Sequence, residues 1–257
     1  MKKKPYILVV NDDGITAPGI KALIEVSKEL GDVVVVAPDK PQSGMGHAIT
    51  FNSTLHIQQM EVEGVPGYAC SGTPVDCVKL AVSTLLTKKP DLIVSGINHG
   101  SNSSINVIYS GTMSAAVEGA LQDIPSVGFS LLDHSIDANF SAAKVIAKNI
   151  IGNLLSHPLP EGFCLNVNIP NVNEQLIAGI KICRQAKGNW VEDYDARKDP
   201  MGRDYYWLTG KFIIDDDGTD TDEWALANNY VSVVPVKQDI TDYEVLKTIK
   251  WLENEKV

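Results

Sequence analysis

Three short apolar runs, each halted by a polar, glycine-bearing segment, constrain what this chain can fold into. Tyr6-Ile7-Leu8-Val9-Val10 stops at Asn11-Asp12-Asp13-Gly14. Val33-Val34-Val35-Val36-Ala37 stops at Pro38-Asp39-Lys40-Pro41-Gln42-Ser43-Gly44, and Leu92-Ile93-Val94 stops at Ser95-Gly96-Ile97-Asn98-His99-Gly100-Ser101-Asn102. Uninterrupted β-rich runs are the pattern of strands covered on both faces. Between the first two, Pro18 suits a first helical turn, Ile20, Leu23, Ile24 and Leu30 form a stripe, and Gly31 ends it. Strand, helix and strand in that order imply a right-handed parallel unit.

The pattern continues. Thr73-Pro74-Val75-Asp76 predicts a capped helix start, with the helix running through Leu80 and Leu86 to Pro90. A helix over Met113–Leu121 and a strand over Ser126–Leu131 follow. The expected fold is α/β, a Rossmann-like doubly wound, mostly parallel sheet with a C-terminal β-hairpin and tail extension. Residues 1–160 are expected to form the Rossmann-like core and residues 161–257 the C-terminal part that completes it. In that second part, strands are predicted over Phe163–Ile169, Ile177–Cys183 and Asn229–Val236, and a hairpin over Tyr205–Ile214 turning near Thr209-Gly210. Residues 186–204, charged and poor in aliphatics, predict an exposed loop. Asp215 to Glu223, with six carboxylates and no cation, predicts a solvated loop, with a subunit-contact rim as the alternative. Thr241-Asp242-Tyr243-Glu244, an S/T-x-x-E capping box with Thr241 as its cap, predicts a final helix start.

A chain of 257 residues can bury a core without staples. Its 22 Lys+Arg against 32 Asp+Glu give a net charge of −10, which argues against an extended nucleic-acid surface. The same charge leaves a small phosphorylated substrate open, because one bound cation inverts a local field. Cys70, Cys77, Cys164 and Cys183 form no C-x-x-C pair and predict reduced thiols. Met1-Lys2-Lys3-Lys4 imitates a signal-peptide head, but the five apolar residues behind it are too few for a secretory core or a membrane span. A cytoplasmic protein without membrane attachment is the expectation.

In a doubly wound sheet, ligands bind beyond the carboxyl ends of the strands, where the three polar segments converge. Asp12-Asp13 are adjacent carboxylates at the end of a buried strand. They repel one another unless a cation lies between them, and a hard divalent ion with oxygen ligands meets that need. A helix-capping or turn-forming acidic pair is the alternative for these two residues. Ser43 and Asn98 offer neutral oxygens, and an all-oxygen set favours Mg²⁺ or Mn²⁺ over zinc. Tyr109-Ser110-Gly111-Thr112 precedes a helix start, where N–H groups and the dipole favour anions. Plain N-capping is the alternative there, and Ser71-Gly72-Thr73 shows the same pattern. His47 and His99 lie in the convergent segments; His56, His134 and His157 do not. No P-loop, dinucleotide fingerprint or G-x-S-x-G is present in the sequence.

Five motifs in order then resemble the SurE family of metal-dependent nucleotidases. They are Val10-Asn11-Asp12-Asp13-Gly14, Ala37-Pro38 with Gln42-Ser43-Gly44, Ser71 to Val78, Ser95-Gly96-Ile97-Asn98 and Tyr109-Ser110-Gly111-Thr112. The match continues weakly through Tyr230-Val231-Ser232-Val233. The resemblance implies one divalent cation per subunit on positions matching Asp12, Asp13, Ser43 and Asn98, and phosphate contacts from Asn102, Ser110, Gly111 and Thr112. It implies hydrolysis of nucleoside monophosphates, a 5'-nucleotidase; from the convergent oxygen ligands, Asp12 and Asp13 are the expected catalytic carboxylates that help take a water's proton. It also implies a homodimer or homotetramer that exchanges the Tyr205–Ile214 hairpin and the 241–257 tail between subunits. One departure bears on loop geometry and substrate preference: Ser103 to Ile108 lacks the family's usual Gly and acidic residues, and Asn106 stands where aspartate is common. Base, ribose position (5' or 3') and polyphosphate use stay open. So do Mn²⁺ against Mg²⁺ and two rival readings, a non-catalytic phosphate sensor and a metal-using sugar-nucleotide transferase.

Overall fold

The computed structural model of the chain describes residues 4–135 and 137–254. Met1-Lys2-Lys3 and the last three residues of the tail lie outside the described residues. The first half supplies β1 (Tyr6–Val10), α1 (Pro18–Leu30), β2 (Asp32–Pro38), the hairpin β3 (Ile57–Val62) and β4 (Val65–Cys70), α2 (Pro74–Leu80), β5 (Leu92–His99), α3 (Gly111–Leu121) and β6 (Ser126–Leu131). The second half supplies α4 (Ser141–Ser156), β7 (Cys164–Ile169), β8 (Gly179–Ile182), β9 (Gly188–Lys198), β10 (Asp204–Ile214), α5 (Asp222–Ala227), β11 (Tyr230–Pro235) and α6 (Tyr243–Thr248).

Nine strands form one sheet in the order β3-β4-β2-β1-β5-β6-β7-β11-β8. The central pairs β4-β2-β1-β5-β6-β7 are all parallel, and β3 and β11 run antiparallel to their neighbours β4 and β7. The chain winds outward from β1 through β2 and returns to β5 on its other side, so the topological switch lies between β1 and β5. This is the expected doubly wound α/β, Rossmann-like sheet.

Strand β1 shows why both faces are covered. Ile7 and Val9 enter a large core with the α1 and α4 side chains Leu23, Ile24, Ile146 and Ile150. Leu8 and Val10 point the other way, into a core with Cys77, Val78 and Ala115 of α2 and α3. Alternation sends neighbouring residues of a strand to opposite faces, and an apolar run is what two covered faces require. Burying a side chain such as Ile24 stabilises by about 1.5–3 kcal/mol. The four cysteines are buried free thiols, and burial pushes Cys164 up to about 12.

Four expectations are corrected. The C-terminal hairpin is β9 against β10, paired from Lys198–Asp204 to Gly188–Ile214, and its turn lies at 199–203. Gly210 pairs with Glu192 in mid-strand, so no turn forms at Thr209-Gly210. The predicted loop over 186–204 is therefore mostly strand. Its polar alternation failed to read as β because neither face of the ribbon packs on a core. The acidic segment is also no free loop. Arg184 pairs with Asp216 at 2.6 Å and Asp220 at 2.9 Å, and Asp222 is 1% exposed at the start of α5. Hydrogen bonds from Arg184, then from Lys187 and Gly218 N–H, hold the Asp216 carboxyl below its usual range. Last, α6 is capped by Asp242, which accepts from the Glu244 and Val245 N–H groups, and not by Thr241.

Candidate functional site

Asp12 and Asp13 leave the end of β1 at the switch point, beside the end of β5, with Val10 in register with Ser95. Gly14 completes the turn with φ +99°, the left-handed side that glycine tolerates. Asp12 is 3% exposed. Its Oδ1 accepts from the Thr112 hydroxyl in the first turn of α3. A Cβ on Gly111 would lie 2.6 Å from Asp12 Cβ and 2.8 Å from Oδ2, so only glycine lets the helix start sit on this carboxylate. Burial pushes Asp12 up to about 6; the Thr112 bond opposes the rise and the Asp13 charge adds to it. Asp13 is half-buried, and its Oδ2 meets the His99 Nδ1 at 3.2 Å and the His99 N–H at 3.4 Å. The His99 ring stands edge-on to Phe140, 5.1 Å between centroids.

Ser43 lies on the exposed loop after β2. The Gln42 N–H donates to Asp12 O at 2.8 Å, and the Gly46 N–H to Tyr109 O at 3.1 Å, which ties this loop to both β1 and the entry to α3. Asn98 sits where the β5–β6 register shifts, between Ser95 and Asn98. Its Nδ2 donates to His99 O and Gly100 O at 3.2 and 2.9 Å, which leaves its Oδ1 as an acceptor without a protein partner among the described residues. The neighbouring Asn11 Oδ1 is buried and likewise unpartnered among the described residues. No three His, Cys, Asp or Glu side chains cluster as a metal cage among the described residues. The donors near the switch point are two carboxylates, an amide oxygen and a hydroxyl, the chemistry of a hard-cation site and not of a zinc site.

Helix α3 starts at Gly111, capped by Ser110, whose hydroxyl accepts from the Met113 N–H at 3.0 Å. The similar Ser71-Gly72-Thr73 triplet has a different job. Thr73 and Asp76 form the predicted capping box on α2, and Asp76 also accepts from the Thr50 N–H and hydroxyl at 3.1 and 2.6 Å. That carboxylate is fully used in fixing the loop. His47 is engaged as well: its Nε2 lies 3.2 Å from Glu118, which also takes Lys79 at 3.0 Å and Gln122 at 2.9 Å. Burial would raise Glu118, but these three donors outweigh it and bring the carboxyl down to about 2. Of the two histidines in the convergent segments, only His99 touches the acidic pair.

Asn102 is 6% exposed, and its Nδ2 donates to Ser130 Oγ of β6 at 2.8 Å. Its surroundings contain residues that the sequence did not single out. Asn166 and Asn168 on β7 bond its backbone, Asp222 accepts from the Ser104 N–H at 2.8 Å, and Glu223 accepts from the Ser103 hydroxyl at 2.5 Å. The available signal was Asn-Val-Asn inside a buried strand, two polar residues at the spacing that shares a face. Asn106, at the position where the family usually has aspartate, accepts from Trp190 Nε1 of β9 at 2.8 Å, which joins the hairpin to this loop.

The family model described as "Survival protein SurE" matches residues 7–192. A curated "5'-nucleotidase SurE" of Christiangramia forsetii is 59% identical, covering 99% of each chain, and one of Flavobacterium psychrophilum is 60% identical, covering 96% of each. A crystal structure of the SurE protein from Aquifex aeolicus superposes with a TM-score of 0.84 at 42% identity, over 97% of this chain and 100% of that one. With the family model spanning most of its length and relatives this similar from end to end, the chain belongs to the SurE family.

Proposed function

We propose that this chain is a hydrolase of phosphoric monoesters, a 5'-nucleotidase that converts nucleoside monophosphates to nucleoside and inorganic phosphate. The observation that carries the reading is the buried Asp12 carboxylate, beside Asp13 and under the start of α3. Relatives named 5'-nucleotidase SurE across nearly the whole chain support it. The cofactor is one divalent cation per subunit, Mg²⁺ or Mn²⁺, with Asp12, Asp13, Ser43 and Asn98 as its ligands. The fit rests on the oxygen donor set, on the unengaged Asn98 Oδ1 and on a carboxyl raised by burial without a cationic side chain beside it. When bound, such an ion polarises a phosphoryl oxygen and acidifies a water.

The chain's own residues do the rest. Ser110, Gly111 and Thr112 turn the helix N-terminus toward the phosphate, where N–H groups and the dipole favour the charge spreading over its equatorial oxygens. Asn102 adds an amide from the adjoining loop. Asp12 and Asp13 are the carboxylates available to accept the water's proton, and His99 orients Asp13. The 3'-nucleotides and polyphosphate are further substrates to be assayed.

The same reading divides the chain into a metal- and phosphate-binding core, 1–160, and a completing part, 161–257, whose hairpin and tail join subunits into a homodimer or homotetramer. Exposed Tyr194, Tyr206, Trp207 and Leu208 on the ribbon, and Leu246 and Trp251 on the tail, support that assignment. Among the described residues no helix is long and apolar enough to cross a membrane, and the cytoplasm is the proposed location. The test is phosphate release from nucleoside 5'-monophosphates with Mn²⁺ or Mg²⁺ and with EDTA. Metal-dependent release supports the hydrolase, binding without release supports a phosphate sensor, and turnover only with a sugar acceptor supports a transferase.

A further inference from the structure

In the loop Ser101–Ser104, Asp222 and Glu223 hold Ser104 and Ser103, while side chains of β7 hold Ser101 and Asn102. Asn168 Oδ1 accepts the Asn102 N–H at 2.8 Å and the Ser101 hydroxyl at 3.3 Å. Asn166 Nδ2 donates to Asn102 O at 2.7 Å, and Asn168 Nδ2 donates to Asn166 Oδ1 at 3.0 Å. The two asparagines stand two residues apart on one face of the strand, with Asn168 fully buried and Asn166 2% exposed. They therefore bind both backbone groups of a single residue as a neighbouring strand would, while bonding to each other.

We infer that Asn166 and Asn168 are positioning residues for phosphate recognition, fixing the loop that carries Asn102 against β6 and β7. The inference rests on the proposed phosphate role of Asn102. A buried amide loses most when its partner is removed, so each bond here specifies one loop geometry and excludes others. Nothing in the cluster reaches Asp12 or Asp13, so the clamp acts on phosphate affinity and not on cation affinity.

The test uses Asn168→Leu and Asn166→Leu, which keep side-chain bulk and remove the polar atoms. If either fails to fold, Asn168→Ser and Asn166→Ser take their place. Three quantities are measured: KM and kcat for p-nitrophenyl phosphate, inhibition by inorganic phosphate, and Mn²⁺ affinity by calorimetry. The expected result is a rise of about tenfold or more in both KM and the phosphate inhibition constant, with kcat falling less and Mn²⁺ affinity unchanged. A folded variant that unfolds at lower temperature but keeps wild-type KM and phosphate inhibition would overturn the positioning role. Failure of the wild-type protein to release phosphate would instead sink the hydrolytic reading on which the role depends.

Discussion

The Thr112 hydroxyl donates to Asp12 Oδ1, joining the first turn of α3 to the end of β1 across 100 residues of sequence. In the proposed function, this bond locks the helix start that would face the phosphate to the carboxylate that would hold the cation. Thr112→Val keeps the branched shape and removes the donor. It is expected to cost about 1–3 kcal/mol, because a buried carboxylate oxygen loses its partner. It is also expected to lower phosphate release by about 10–100-fold, while Thr112→Ser stays near wild type. Urea titration and phosphate release check both; a valine variant within twofold of wild type would contradict the coupling.

Asp12 sets a pH dependence whose sign follows from burial. Its carboxyl is raised from 3.8 to about 6 in the fold, so between these values the folded chain holds a proton that the unfolded chain has lost. The stability this contributes is fully present below 3.8 and is lost as pH rises through about 6, about 3 kcal/mol in all. Cation binding needs the carboxylate, so apparent metal affinity should climb with pH up to about 6 and then level off. Denaturant titrations with EDTA from about pH 4 to pH 8 measure this limb, with Asp12→Asn as the reference that lacks it.

Glu118 carries the opposite sign. Its carboxyl lies at about 2 against an ordinary 4.5, so its contribution is present above 4.5 and fades as pH falls toward 2. Glu118→Gln should flatten this acid limb and loosen the loop that His47 anchors. Acid titration of the difference between the two proteins is the measurement; a parallel pair of curves would contradict it.

Asp222 accepts three backbone N–H groups, those of Ser104, Ala186 and Glu223, and so staples the site loop to the root of the hairpin. Asp222→Ala leaves two distant buried amides without partners and is expected to destabilise by about 2–4 kcal/mol. Asp222→Asn, which keeps one acceptor, should cost less. Chemical denaturation ranks the two, and an alanine variant as stable as wild type would contradict the staple.

How much of this was legible depended on whether a residue's partner was near in sequence. The capping box of Thr73 and Asp76 lies within four residues, and the structure contains it as read. The apolar runs of β1, β2 and β5 announced strands covered on two faces because burial leaves that composition. The hairpin strand β9 left no such trace, since its residues alternate in polarity without a core to face. The β3–β4 hairpin is hard to read for the same reason, its exposed strand being polar, although Glu63-Gly64 turns it with both φ values positive. Asp222 looked like one more charge in an acidic run, because the amides that bury it lie 118 and 36 residues away. The same distance hid Asn166 and Asn168. Their polarity was visible in a buried strand, but what they bind was not.

The central claim is that Asp12 and Asp13 make this chain a metal-dependent nucleotidase. The most direct measurement is inorganic phosphate released from a nucleoside 5'-monophosphate by the wild-type and Asp12→Asn proteins, each with Mn²⁺, with Mg²⁺ and with EDTA. The account predicts release by the wild-type protein with metal, none with EDTA, and a loss of about 100-fold or more in Asp12→Asn with the fold intact. Release that persists in EDTA, or that survives in Asp12→Asn at near wild-type rate, would contradict it.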